Sequence, residues 1–146
     1  MAYTDNNTIA LKISPNSQYI EYFSGTTISP GMLVEYQENG FVYPHTFPGG
    51  AAERLFVMEN GYKGLGIMDD YLADERVMLR LCRPGDIILC LYSEPNELWP
   101  GQMLSSVGDG TLRRIKGIEE TQGVVAVSLE KDLTPVPNRL TAVRIM

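Results

Sequence analysis

The sequence predicts a mainly β fold: a single-domain barrel or sandwich of short strands and hairpins, with an extended N-terminal arm and little helix. Three observations carry this. Apolar runs are short and are punctuated throughout by Pro and Gly. Asn39-Gly40 and Asp109-Gly110 sit between apolar segments, and such steps supply the positive φ that hairpin turns require. Only Met68 to Glu75 has helical flavour, and that stretch is short.

Taken in order, the segment before residue 20 is rich in Asn, Thr and Ser, with Ile9, Leu11 and Ile13 alternating ahead of Pro15. Alternation is the signature of a strand, yet nothing nearby in sequence offers it a partner. It reads either as a frayed terminus or as an arm that orders by adding a strand to another subunit's edge. Residues 1–19 are therefore expected to be an arm, and 20–146 one β-rich domain. Tyr19 to Phe23 is the first candidate strand of that domain. Met32 to Tyr36 and Phe41 to Tyr43 form a hairpin across Asn39-Gly40, and Leu55 to Glu59 follows. Val77 to Cys82 and Ile87 to Tyr92 are near-continuously apolar, as strands buried on both faces are. They flank Arg83-Pro84-Gly85-Asp86, which reads as a tight hairpin turn that would point Cys82 and Cys90 to opposite faces. That arrangement excludes a disulfide and makes both thiols small buried hydrophobes. Val124 to Leu129 and Leu140 to Ile145 close the chain.

One pattern recurs. Pro30-Gly31, an apolar strand, Asn39-Gly40, a return strand and Leu55 to Val57 are matched by Pro100-Gly101, Met103-Leu104, Asp109-Gly110, Thr111-Leu112 and Val125 to Val127, all at an offset of 70. This is either a record of two halves of one scaffold or a chance likeness between hairpins.

Composition narrows the partners. The chain has 146 residues, 44% hydrophobic and 21% charged, which suits one domain with one core. With 12 Lys and Arg against 18 Asp and Glu, the formal charge is -6. The densest basic cluster is Arg113, Arg114 and Lys116, too little for the basic face that nucleic-acid binding demands. Direct nucleic-acid contact and attraction to anionic membranes are not expected. Residues 1–7 lack a basic and apolar leader pattern, and the apolar stretch around Ile87 to Tyr92 is too short to span a bilayer, so the expected compartment is a cytoplasm.

The search for chemistry yields no catalytic, metal or cofactor site. His45 is the only histidine, and no cysteine pair has ligand spacing. No serine lies in a Gly-x-Ser-x-Gly elbow, so His45 reads as a hydrogen-bonded loop residue. Asp69-Asp70, Asp74-Glu75 and Glu119-Glu120 are adjacent pairs, which on a strand point to opposite faces and so read as solvated surface. Gly49-Gly50 and Gly64-x-Gly66 lack the strand-loop-helix context of a phosphate cradle. What stands out is apolar surface: eight Tyr, four Phe, seven Met and one Trp. The candidate subunit or partner contacts are Ile9, Leu11 and Ile13 in the arm, Tyr19, Tyr22 and Phe23 beside it, and Trp99 next to Pro100.

From Ile28 onward the segments fall in a particular order. Ser29-Pro30-Gly31-x-Leu33-Val34 leads to Tyr43-Pro44-His45, Gly49-Gly50-Ala51-Ala52-Glu53 and Leu55-Phe56-Val57. Gly64-x-Gly66-Ile67-x-Asp69-Asp70-Tyr71, Asp74-x-Arg76-Val77 and Arg83-x-Gly85-Asp86 come next. Gly101-x-x-Leu104, Gly108-Asp109-Gly110-Thr111-Leu112-Arg113 and Val125-Ala126-Val127-x-Leu129-Glu130 complete the set. This order resembles tailed-bacteriophage capsid decoration proteins, also called head cement proteins. The arm before Ile28, the Arg83-Pro84 step and the Glu94 to Trp99 loop depart from the pattern. The resemblance implies a non-enzymatic, β-rich subunit, commonly a homotrimer, without cofactor. Such a protein is assembled in the host cytoplasm, sits on the outer capsid surface of the virion and bridges neighbouring major capsid protein subunits. Two other readings stay open: another virion component, from the tail or the head-completion set, and a small ligand-binding barrel using His45 with Asp69 or Asp70.

Overall fold

A computed structural model of the chain describes residues 8–95, 97–117, 123–133 and 136–146. The Glu119-Glu120 pair and the first seven residues lie outside the described residues. Eleven strands are present among those described: β1 Ala10–Lys12, β2 Gln18–Phe23, β3 Val34–Tyr36, β4 Val42–Pro44, β5 Leu55–Val57, β6 Arg76–Leu81, β7 Ile87–Tyr92, β8 Met103–Ser106, β9 Leu112–Arg114, β10 Ala126–Ser128 and β11 Arg139–Ile145. The mainly β class expected from the sequence is what the structure shows.

Five strands close into a barrel in the order β7-β11-β10-β8-β9, with a parallel pairing of β9 to β7 (Tyr92 opposite Leu112) sealing it. Packed with it are a three-stranded sheet, β2-β6-β5, and the two-stranded hairpin β3–β4. One continuous core joins them, running from Ile9 and Ile28 through Phe56, Leu79 and Tyr92 to Ile145.

β7 is the hinge of the design because both of its edges are used. One edge pairs with β11 along its whole length. The other is shared among three segments: Leu89 N donates to the Ile9 carbonyl, Leu91 N to the Gly31 carbonyl, and Ser93 N to the Leu112 carbonyl. Gly31 sits at φ 91°, and a Cβ there would lie 2.7 Å from Leu140 and 3.4 Å from the Leu89 carbonyl oxygen, so both backbone conformation and space require glycine.

Three expectations are corrected. The Cys82 to Asp86 turn does not close a hairpin, because β6 belongs to the three-stranded sheet and β7 to the barrel. Asp86 explains the change of sheet: its carboxylate accepts from Arg83 N at 2.8 Å and from Ser14 N at 2.7 Å, while its carbonyl accepts from Ile145 N. The chain is thereby pinned to the N-terminal segment and β11 instead of folding back on β6. Both cysteines are nevertheless buried and free. Residues 68–75 contain no helix; Tyr71 bridges Ile28 and its hydroxyl donates to the Met58 carbonyl at 2.8 Å, while Asp74 adopts φ 67° in a turn. The described helical turn is a 3-10 turn at Gly61–Lys63. Finally, β1 does have a partner in its own chain, the start of β7, far away in sequence.

The offset-70 pattern is carried into backbone geometry. Strands β3–β4 pair Val34 with Pro44 and Tyr36 with Val42, and β8–β9 pair Leu104 with Arg114 and Ser106 with Leu112. Gln37 N donates to the Phe41 carbonyl and Val107 N to Thr111, both at 3.0 Å. Asn39 and Asp109 side chains each accept from the backbone two residues on, at 3.1 and 3.0 Å. The match slips by one residue only at the third strand, where Val57 N bonds Met32 and Ser128 N bonds Gln102.

Candidate functional site

The outward face of the three-stranded sheet gathers the exposed aromatic surface. In register, Tyr19 stands opposite Arg80, Glu21 opposite Met78 and Phe23 opposite Arg76, and alternation puts all six on one face. Tyr19 is 45% and Phe23 49% exposed. The 3-10 turn adds Tyr62, 78% exposed, beside small hollows shared with Tyr19 and Arg80 on one side and with Glu21, Arg76 and Met78 on the other. Arg80 lies over the Tyr19 ring at 5.6 Å, Arg76 is 3.5 Å from Glu21, and the Tyr19 hydroxyl donates to the Met78 sulfur. Burial, then nearby Tyr62 and Glu21, push the Tyr19 hydroxyl above its ordinary pKa, so it stays a neutral donor. Among the described residues β2 pairs on one edge only, with β6, leaving a row of backbone donors and acceptors open beside these rings. Aromatic and arginine side chains on a flat, partly held surface are the composition of protein interfaces.

The predicted contact residues divide. Tyr19 and Phe23 share this face. Tyr22, on the opposite face of β2, is half-buried and meets Tyr36 edge-to-face at 5.0 Å. Leu11 and Ile13 are half-buried against the core. Ile9 has no exposed surface, so it is a core residue and not a contact. Trp99 is 42% exposed on a separate surface, with the Lys131 ammonium 4.6 Å from its ring. Tyr62, Arg76 and Arg80 were not singled out from the sequence; Tyr62 sits inside a glycine-rich loop whose only legible signal was a turn.

His45 is buried, and its partners fix its role. Nε2 lies 3.2 Å from the Ala51 carbonyl and so donates, leaving Nδ1 to accept from the Ser106 hydroxyl at 2.7 Å. A serine donating to a histidine is the first half of a nucleophilic pair. Here Ser106 has no exposed surface, its oxygen also accepts from Gly108 N, and the histidine is oriented by a backbone carbonyl instead of an acid. The pair ties the 45–51 loop to β8. Asp69, expected as a possible acid beside His45, instead accepts from Gly66 N at 2.7 Å. Among the described residues no three His, Cys, Asp or Glu side chains converge as a metal site. Burial pushes the Cys82 thiol up to about 12 and the Cys90 thiol higher still, so neither is a ready nucleophile.

No family model and no curated protein matches the chain. Among solved structures, the head fiber gp8.5 N base of bacteriophage phi29 matches with a TM-score of 0.59 at 9% sequence identity, over 89% of this chain and 94% of that one. At such identity the likeness is one of fold, and it extends over nearly all of both chains.

Proposed function

We propose that this protein is a structural component of a tailed-phage virion. It binds the outside of the mature capsid as a homotrimer and stabilises the shell by bridging major capsid protein subunits. The single observation that carries the reading is the fold shared with a phage head fiber base over nearly the whole of both chains. The segment order from Ile28 onward points the same way, and the closed Ser106–His45 pair gives no support to an enzyme. Mechanistically, each subunit offers the Tyr19, Phe23 and Tyr62 face, and three copies on one trimer convert modest contacts into tight attachment through avidity. Outward pressure on the shell then has to break several contacts together.

The test uses capsids lacking the protein. Purified protein should bind them in hundreds of copies and raise the temperature at which they release DNA; no binding, or binding with no change in release temperature, overturns the reading. Light scattering on the free protein should give three times 16.3 kDa.

A second reading follows from the same solved structure, which is the base of a fiber: this chain would be an anchoring module for a larger appendage. Virions lacking this chain separate the two, since an anchor predicts that a second, larger appendage protein is lost with it and a clamp predicts loss of shell stability alone.

A further inference from the structure

We infer that a groove on the barrel side of the molecule is a docking site for an extended segment of another protein carrying lysine or arginine between aliphatic residues. The groove encloses about 1100 Å³ between residues 29–32, 67–70, 109–111, 130–132 and 136–140, larger than a drug-sized pocket. Its floor includes Leu91 and Leu140, directly paired across β7 and β11, together with Met32. Met68, 81% exposed, and Val136 stand at its rim. Unbranched methionines adapt to irregular aliphatic partners.

The charges select the occupant. Of the two cations lining the groove, Arg139 is held 2.7 Å from Asp132, and Lys131 turns onto the Trp99 ring. Asp70, Asp109 and Glu130 form no ion pair among the described residues. Glu130 is under particular tension: Thr141 donates to one oxygen at 3.3 Å, while the other is shielded from solvent and has no hydrogen-bond partner among the described residues. A poorly solvated carboxylate is costly, and a cation held in the groove beside Glu130 offsets that cost through its charge. The matching chemistry is a cationic head on an aliphatic stem, repeated along a chain. A bare metal ion would use the carboxylates and leave the apolar lining empty; an acidic peptide would be repelled.

This inference does not depend on the capsid reading, and its test is separate. Trp99 is the only tryptophan, and it reports on the groove through Lys131. The full chain is titrated with two tryptophan-free peptides of equal length, one alternating Lys and Leu, the other Glu and Leu, following Trp99 emission. The basic peptide should bind saturably and shift the emission, weakening at least tenfold in high salt and at least tenfold in Asp70→Asn with Glu130→Gln. The exposed Asp70→Asn alone should weaken it several-fold, which keeps the test valid if Glu130→Gln impairs folding. A control pair on another surface, Glu38→Gln with Glu53→Gln, should leave binding unchanged. No saturable binding, equal binding of both peptides, or binding that ignores Asp70 and Glu130 overturns the inference.

Discussion

The hairpins β3–β4 and β8–β9 share backbone bonds and differ in almost everything around them. The first stands outside the barrel as its own two-stranded sheet, with Tyr36 exposed. The second is built into the barrel, with β8 bonded to β10 and β9 to β7, and Ser105, Ser106, Thr111 and Arg113 are all buried. The more aromatic copy sets Val34 and Val42 in the core and turns Tyr36 to solvent, while the more serine-rich copy is buried along most of both strands. Turn chemistry sets the hairpin, whereas burial is set by what packs on it afterwards. Small serines fit a tight barrel wall, and Ser106 is satisfied there by His45, a residue placed by the first copy.

Several substitutions sharpen or break this comparison. The largest contrast is expected at the paired glycines. Gly31→Ala faces both an unfavourable φ and the Leu140 side chain, and should cost about 3 kcal/mol or more. Gly101, at φ 89° with open space around it, should cost about 1–2 kcal/mol when changed to Ala. Equal losses in urea denaturation would mean that the Gly31 contact with β7 is unimportant. Next, His45→Ala should cost about 2 kcal/mol by leaving the buried Ser106 hydroxyl proton without its acceptor. Its positional counterpart Ile115, half-buried, should cost about 1 kcal/mol on truncation to Ala.

A pH scan probes the core that both copies share. Cys82 is raised from 9.0 to about 12 by burial, then by Asp86, so it is neutral in the fold while its unfolded counterpart ionises. The unfolded state then binds fewer protons, and stability falls as pH rises. The contribution is complete below pH 9 and is lost between 9 and 12, at about 1.4 kcal/mol per pH unit for that thiol. Cys82→Ala should flatten the decline in thermal midpoint over that range. The smallest effect is expected at Ser105, whose buried hydroxyl lacks a hydrogen-bond partner among the described residues; Ser105→Ala should change stability by no more than about 0.5 kcal/mol.

The sequence was informative wherever the signal was local. Asn39-Gly40 and Asp109-Gly110 located both hairpins, and β7 spans the apolar run Ile87 to Tyr92. It was silent on pairing at a distance. Nothing near Ile9 reveals that its carbonyl receives Leu89 N, and nothing in Arg83-Pro84-Gly85 reveals that Asp86 will divert the chain into another sheet. The site divides the same way. Aromatic character beside the arm made Tyr19 and Phe23 legible, together with Tyr22, which turns to the other face of β2; Tyr62 joins them only because the 3-10 turn folds over that face. Helical flavour in 68–75 yielded to tertiary pairing, since Tyr71 gains more from bridging Ile28 and bonding Met58 than from a short isolated helix.

The most direct test is co-sedimentation of purified protein with capsids that lack it, comparing the native chain with Tyr19→Ser, Phe23→Ser and Tyr62→Ser combined. The native protein should pellet to saturation, and the triple variant, with an unchanged thermal midpoint, should remain in the supernatant. A native protein that stays in the supernatant would contradict the capsid role, and a triple variant that pellets like the native chain would contradict the assignment of this face.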